Sequence, residues 1–329
     1  MGVIEKAGIY ASRTLNALHA GPTAAAAFGP VQGAVQFRRT LRGGVFSPEV
    51  LAKTLDFVLR TLSPLTEKYN TPGYSSFLAQ KIGVTRTPFW FCWPQGEGYM
   101  PPTALLCYRR LRQMTASVGE VHLITLKNMR SYTDLPKVIE KRYFERSLSF
   151  NVLRDYLRTA FLCAYGGVWV DPDVYFARAP FRGMFGRSFF SPKMSEGACC
   201  RSDRGLWDRR LISVLPNEKA MNYVREAYIL WWTRFDRAPD EALFDHFLFS
   251  AYRSVPEIRA VLDEVGENHG DFDSLSPLLA LAYDKEKFSA LSSVCGAFSL
   301  GAATDPPLFT ARGEQTLFGA LCSDTRVTF

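Results

Sequence analysis

Apolar residues recur every three or four positions in the middle of the chain. In "SLSFNVLRDYLRTAFLCAYGG" the series Val152, Leu153, Tyr156, Leu157, Ala160, Phe161 and Ala164 predicts a helix with one buried face. Gly166 and Gly167 end it, and Val168 to Val170 continue as a short strand whose composition suits burial on both faces. Upstream, "FWFCW" (Phe89 to Trp93) reads as a buried strand, "PQGEGYMPP" as a loop, "TALLCYRRLRQMT" as a helix and "EVHLITL" (Glu120 to Leu126) as a second strand. Strand, helix, strand is the order of an α/β domain built on a largely parallel sheet.

The texture differs before residue 86. "PEVLAKTLDFVLRTLSPLTEKY" predicts a helix that starts near Ser47, takes Pro48 into its first turn and stops before Pro64. Residues 1–46 offer short helical pieces between glycines and prolines, so the chain divides into a helical region, 1–85, and a main domain, 86–329. Further on, "EKAMNYVREAYILWWTRF" and "ALFDHFLFSAYRS" are periodic helices. Trp231 and Trp232 either line a groove or enter the core, and a lone His246 among phenylalanines reads first as a structural residue.

Composition narrows the classes. With 329 residues, 47% of them hydrophobic, there is material for a large core. Thirty-nine basic against thirty-two acidic residues give +7, but no basic tail or Lys/Arg-rich repeat accompanies the excess, so no nucleic-acid partner is expected. The cysteines, at 92, 107, 163, 199, 200, 295 and 322, include no CxxC pair and point to free thiols in a reducing compartment. Glu5 and Lys6 interrupt any leader, and no long apolar run follows. The expectation is a cytoplasmic protein, with peripheral contact at the inner face of a membrane left open. Four histidines, at 19, 122, 246 and 269, do not form a zinc pattern, and no G-x-S-x-G elbow marks a serine hydrolase.

Candidate chemistry sits directly after the predicted strand, in "VWVDPDVYF". Asp171 and Asp173 are two apart, so both side chains can point to one side, and Pro172 stiffens the interval. Such a pair either binds a hard cation, Mg2+ or Mn2+, with phosphate oxygens and water completing the shell, or forms an ordinary solvated turn. Its position after a strand of an open α/β sheet is where such sheets collect ligands. Asp155 and Arg158, three apart on the preceding helix, lie on one side of it, close enough to make a surface ion pair. Phe91 and Trp93 sit in a strand whose alternate residues point inward, which makes the core one reading for them.

The stretch "VLRDYLRTAFLCAYGGVWVDPDVYF" resembles the core of bacterial capsular polysaccharide synthesis proteins and of related glycosyltransferases with a DXD-containing sugar-binding region. Asp155, Arg158, Gly166, Gly167, Trp169, Asp171 and Asp173 follow that family's order of acidic residue, arginine, helix, Gly-Gly pair and strand ending in the acidic motif. "FWFCWPQGEGYMPPTALLCYRRL" with "EVHLITLKN" is similar to the family's opening strand, loop, helix and second strand, so the resemblance spans roughly residues 86 to 260. Two departures stand out: Arg154 occupies a usual serine, and Asp173 replaces what is a small residue in many capsular-type members.

The resemblance implies a GT-A fold, an α/β nucleotide-sugar-binding domain with a central mostly parallel sheet, beside a helical N-terminal extension. It implies transfer of a sugar from a nucleotide-sugar, UDP-sugar foremost, to a glycan or lipid-linked hydroxyl acceptor, with retention of configuration. Asp155, Arg158, Asp171 and Asp173 would form the catalytic set. Phe91, Trp93, Gly96, Asp155, Arg158, Gly167 and Asp171 would contact the donor, although the Gly166–Gly167 pair also serves the helix-to-strand passage. Mn2+ or Mg2+ would rest on Asp173, with Asp171 and His269 as further ligands. The rival readings are a metal-dependent phosphoryl-transfer hydrolase and a non-catalytic nucleotide-sugar-binding protein.

Overall fold

Alternate side chains of β1 (Thr87–Cys92) enter two different cores. Trp90 and Cys92 face one, and Phe89 and Phe91 face the other. β3 (Gly167–Val170) divides in the same way, Trp169 to the first core and Val168 and Val170 to the second. A sheet buried on both faces therefore sits between two layers. The first holds the helices Phe150–Tyr165, Lys219–Arg234 and Leu243–Ser254, and the second holds the helices Pro102–Thr115 and Leu317–Thr325. The computed structural model describes residues 17–41 apart from 19, 48–180, 182–193, 205–268, 271–301 and 306–327.

With β2 (Gly119–Ile124), β5 (Phe189–Phe190) and β6 (Leu211–Val214), the main sheet has the order β2-β1-β3-β6-β5. β1 pairs in parallel with β2 and β3, whereas β6 is antiparallel to both β3 and β5. The sheet is therefore mixed, which corrects the expectation of a mostly parallel one. The physical reason lies in the connections. Helix Pro102–Thr115 carries the chain from β1 to β2, and helix Phe150–Tyr165 brings it into β3, whereas among the described residues no α-helix lies between β3 and β6. Without a crossover the returning strand runs antiparallel. β4 (Val174–Phe176) leaves the main sheet and pairs with β7 (Ala297–Ser299) in a separate two-stranded sheet of the second layer.

The helices fall close to where periodicity put them. Pro48–Thr61 ends before Pro64 as expected, yet a new helix, Ser63–Tyr69, starts at once with that proline in its first turn. Ser47, its expected start, lies outside the described residues. Trp231 and Trp232 are fully buried, which settles them as core residues. Cys92, Cys107, Cys163, Cys295 and Cys322 are free thiols, and Cys199 and Cys200 lie outside the described residues. No helix among the described residues is long and apolar enough to cross a membrane.

Candidate active site

Ser149 caps the helix Phe150–Tyr165, its hydroxyl accepting from the Val152 amide. At the other end Gly166 (φ 65°) and Gly167 (φ 84°) turn the chain straight back into β3. A side chain at Gly167 would put its Cβ 2.3 Å from the Pro88 carbonyl oxygen, so that residue serves the close approach of β1 and β3. It lies at the start of β3, the end away from the aspartates. Helix and strand thus run back to back, and the first half of the helix ends up beside the carboxyl end of the strand.

That arrangement brings Asp155, Arg158 and Asp171 together. Arg158 is fully buried and donates through Nη1 to Asp155 Oδ1 and through Nη2 to Asp171 Oδ1, both at 2.9 Å. The Trp169 indole N–H donates to the same Asp171 oxygen at 2.6 Å. The guanidinium lies 5.2 Å from the Trp169 ring centre and 5.1 Å from that of Phe244. Arg209 extends the network, with Nη1 3.5 Å from Asp155 Oδ2 and 3.3 Å from Asp245 Oδ2, while Trp207 donates its indole N–H to Asp245.

Two carboxylates share Arg158, but they respond differently. Burial raises the Asp155 pKa, and Arg158 and Arg209 only partly offset this. Burial acts on Asp171 as well, yet Arg158, Arg154 and the Trp169 N–H outweigh it and hold that carboxyl below its usual range. Asp171 is accordingly the firmly ionised member, fixed in one orientation by two donors. Asp155 and Arg158 form a buried ion pair that extends to Asp171, so they are not a surface pair.

Asp173 belongs to a second cluster. The Asp171–Val174 turn closes through the Val174 amide, which donates to the Asp171 carbonyl at 3.0 Å. Asp173 Oδ2 accepts from the Ser299 hydroxyl at 2.8 Å, and that hydroxyl accepts from Arg210 Nη1 at 2.6 Å. Arg210 is itself clamped by Asp208, at 2.6 and 2.9 Å, and by Asp273, at 2.8 and 3.1 Å. Burial and then the nearby Asp171 push the Asp173 pKa up. A buried anion held this way lacks a cation in direct contact among the described residues, since Arg210 reaches it only through Ser299.

Among the described residues no group of three or more His, Cys, Asp or Glu is arranged to hold a metal. The donor set that does exist, a buried carboxylate short of positive charge, fits Mg2+ or Mn2+ of the kind held by one or two carboxylates with phosphate and water completing the shell. Asp171 Oδ1 is committed to Arg158 and Trp169, which leaves Asp173 as the better-placed ligand. His269 lies outside the described residues.

The aromatic candidates separate. Phe91 is fully buried, 5.2 Å from the Tyr108 ring, on the face of the sheet opposite Trp169. Trp93, one step past β1, is only half-buried and donates its indole N–H to the Tyr99 carbonyl, so it alone of the two is partly exposed. Gly96 follows in the same loop at φ 93°. His246 is buried with Nε2 2.9 and 3.0 Å from the Asp240 oxygens. An apolar cavity of about 460 Å3 lies beside Phe176, Leu211 and Phe272, and the Phe272 ring also packs under Arg210.

Trp207, Arg209, Arg210, Asp245 and Ser299 complete the site without having been expected there. Asp245 was visible only as an acid on a periodic helix, and nothing in the local spacing of "GLWDRRL" distinguishes its arginines from solvated ones.

No curated protein sequence matches the chain. The family described as capsular polysaccharide synthesis protein matches residues 47–305, a stretch that contains both clusters. The chain belongs to the capsular polysaccharide synthesis protein family.

Proposed function

We propose that the chain is a metal-dependent glycosyltransferase of GT-A type that moves a sugar from a nucleotide-sugar, UDP-sugar foremost, to a hydroxyl of a glycan or lipid-linked acceptor, with retention. The observation that carries the reading is the meeting of Asp155, Arg158 and Asp171 at the carboxyl end of β3, with Asp173 two residues on in a neighbouring cluster, in a chain of this family. Arg158 acts as the positioning residue: it holds Asp171 ionised and oriented so that the free side of that carboxylate faces the donor sugar. Asp173 would hold Mn2+ or Mg2+, and that ion, when bound, would supply positive charge opposite the donor's phosphates. Trp93 gives the base a flat apolar surface. In this reading the acceptor is taken up by the apolar cavity beside Phe176, Leu211 and Phe272.

Incubation with UDP-, GDP- and CMP-sugars, with and without Mn2+, tests the reading. Metal-dependent release of sugar with its nucleotide (UDP, GDP or, from a CMP-sugar, CMP) from one donor is expected, and Asp173→Asn should reduce it by at least two orders of magnitude in a protein that melts as the wild type does. Turnover near the wild-type level in that variant would remove Asp173 from the metal site. Hydrolysis of simple phosphate esters without any donor turnover would favour the phosphoryl-transfer alternative, and metal-independent donor binding without turnover would favour a binding protein.

A further inference from the structure

We infer that Arg154 is an anion-binding residue of this chain, placed to grip the diphosphate of the nucleotide donor; the inference rests on the donor reading above. Arg154 precedes Arg158 by four residues on the helix Phe150–Tyr165, so both lie on one face, with Arg154 one turn nearer the helix N-terminus. Arg158 is pinned to Asp171 just past the end of β3, and the helix runs back against that strand. One turn further, about 5.4 Å along the axis, Arg154 reaches beyond the strand ends, the side on which open α/β sheets take up ligands. Its charge is felt at the carboxyl end of β1, where it is the strongest opposition to the burial that raises the Cys92 thiol.

The arginines around Asp155 differ in what they hold. Arg158 has two carboxylates and Arg209 lies between two more oxygens, of Asp155 and Asp245. Arg154 makes no hydrogen bond or ion pair with any described residue, and its Nε is buried without an acceptor. A buried donor left open in this way carries a cost that a ligand can remove. The ligand must be an acceptor and must gain from a planar fork of N–H groups, and phosphate oxygens meet both conditions. The loop after β1, with Trp93 and Gly96, borders the same end of the sheet, so a base on Trp93 and phosphates on Arg154 would belong to one molecule.

Calorimetric titration of the full chain with UDP, GDP and CDP, each beside its nucleoside and beside inorganic pyrophosphate, tests this. The wild type is expected to bind one diphosphate well above its nucleoside. Arg154→Gln should weaken that diphosphate on the order of 10- to 100-fold and leave the nucleoside unchanged, with Arg154→Lys in between because a point charge replaces the fork. Equal diphosphate affinity in wild type and Arg154→Gln would overturn the inference while leaving the donor reading intact. A loss of thermal stability alone, with affinity kept, would do the same, since Arg154 would then only balance the buried carboxylates. A wild type that binds none of the diphosphates would overturn both readings.

Discussion

Arg158 carries two buried carboxylates and lies near the rings of Trp169 and Phe244, so its removal is not the loss of one bond. Arg158→Met fills similar volume but leaves Asp155 and Asp171 without their shared cation. Breaking a buried pair from one side costs about 3–5 kcal/mol, and urea denaturation should read a loss of that order. Arg158→Lys keeps the charge but cannot span both carboxylates as the fork does, so it should fall between the two. A Met variant as stable as the wild type would show that the trio contributes nothing net. Asp155, Arg158, Asp171 and Asp173 could be singled out because they fall within one uninterrupted block that resembles the family's core; the fold joins the first three through Arg158 and sets Asp173 against Ser299. Ser299 was not, because 126 residues separate it from the Asp173 carboxylate to which it donates. Arg209 and Arg210 were hidden for a related reason: their roles are set by which carboxylates the fold brings to them, and an arginine pair in a loop reads the same whether clamped or solvated.

Among the elements, long periodic helices and the strands beside them could be read from pattern, while β5 and β6 could not. Phe189–Phe190 is two residues long, and "LISV" of β6 has all four positions buried, so neither shows the alternation that marks a strand with one wet face. Their absence from the predicted set is why the sheet read as mostly parallel. The helix Lys219–Arg234 has its own signature at the cap. Glu218 Oε2 accepts from the Ala220 and Met221 amides at 2.7 and 3.1 Å, yet burial outweighs these bonds and pushes its pKa up from 4.5 to about 7. The folded state therefore binds this proton more tightly than the unfolded one. The associated stability is complete below pH 4.5 and is lost as pH rises through about 7. A shift of this size amounts to about 3 kcal/mol. Glu218→Gln keeps an acceptor for the amides and cannot ionise, so the wild type should lose stability relative to the variant as pH is raised from 5 to 8. Melting curves of the two proteins across that range measure it, and a constant difference would mean that Glu218 ionises at its ordinary value.

At the scale of the whole molecule, the helices before residue 86 are packed into the same core as the site. Val58, Leu62, Leu65 and Tyr69 join the cluster that contains Trp169, Phe161 and Trp231. Phe28 and Phe57 lie 5.9 and 5.8 Å from the Trp231 ring. Polar contacts tie the same surfaces: Thr66 and Tyr223 share a hydrogen bond between hydroxyls at 2.8 Å, and Lys68, Tyr69 and Tyr74 all donate to Glu226. The family match begins at residue 47 and so includes the helices Pro48–Thr61 and Ser63–Tyr69. Burial of a large apolar side chain is worth about 1.5–3 kcal/mol, and the four core residues just named would together contribute on the order of 10 kcal/mol, comparable to the net stability of a typical domain. A chain reduced to residues 86–329 is therefore expected to lose cooperative unfolding, bind a hydrophobic dye and aggregate, even though it keeps Asp155, Arg158, Asp171 and Asp173. Their geometry would go with it, because the helix that carries Asp155 and Arg158 packs on Lys219–Arg234, whose outer side these N-terminal helices cover. A monodisperse 86–329 fragment that melts cooperatively at the full-length temperature would instead make the first 85 residues an accessory to a self-sufficient domain.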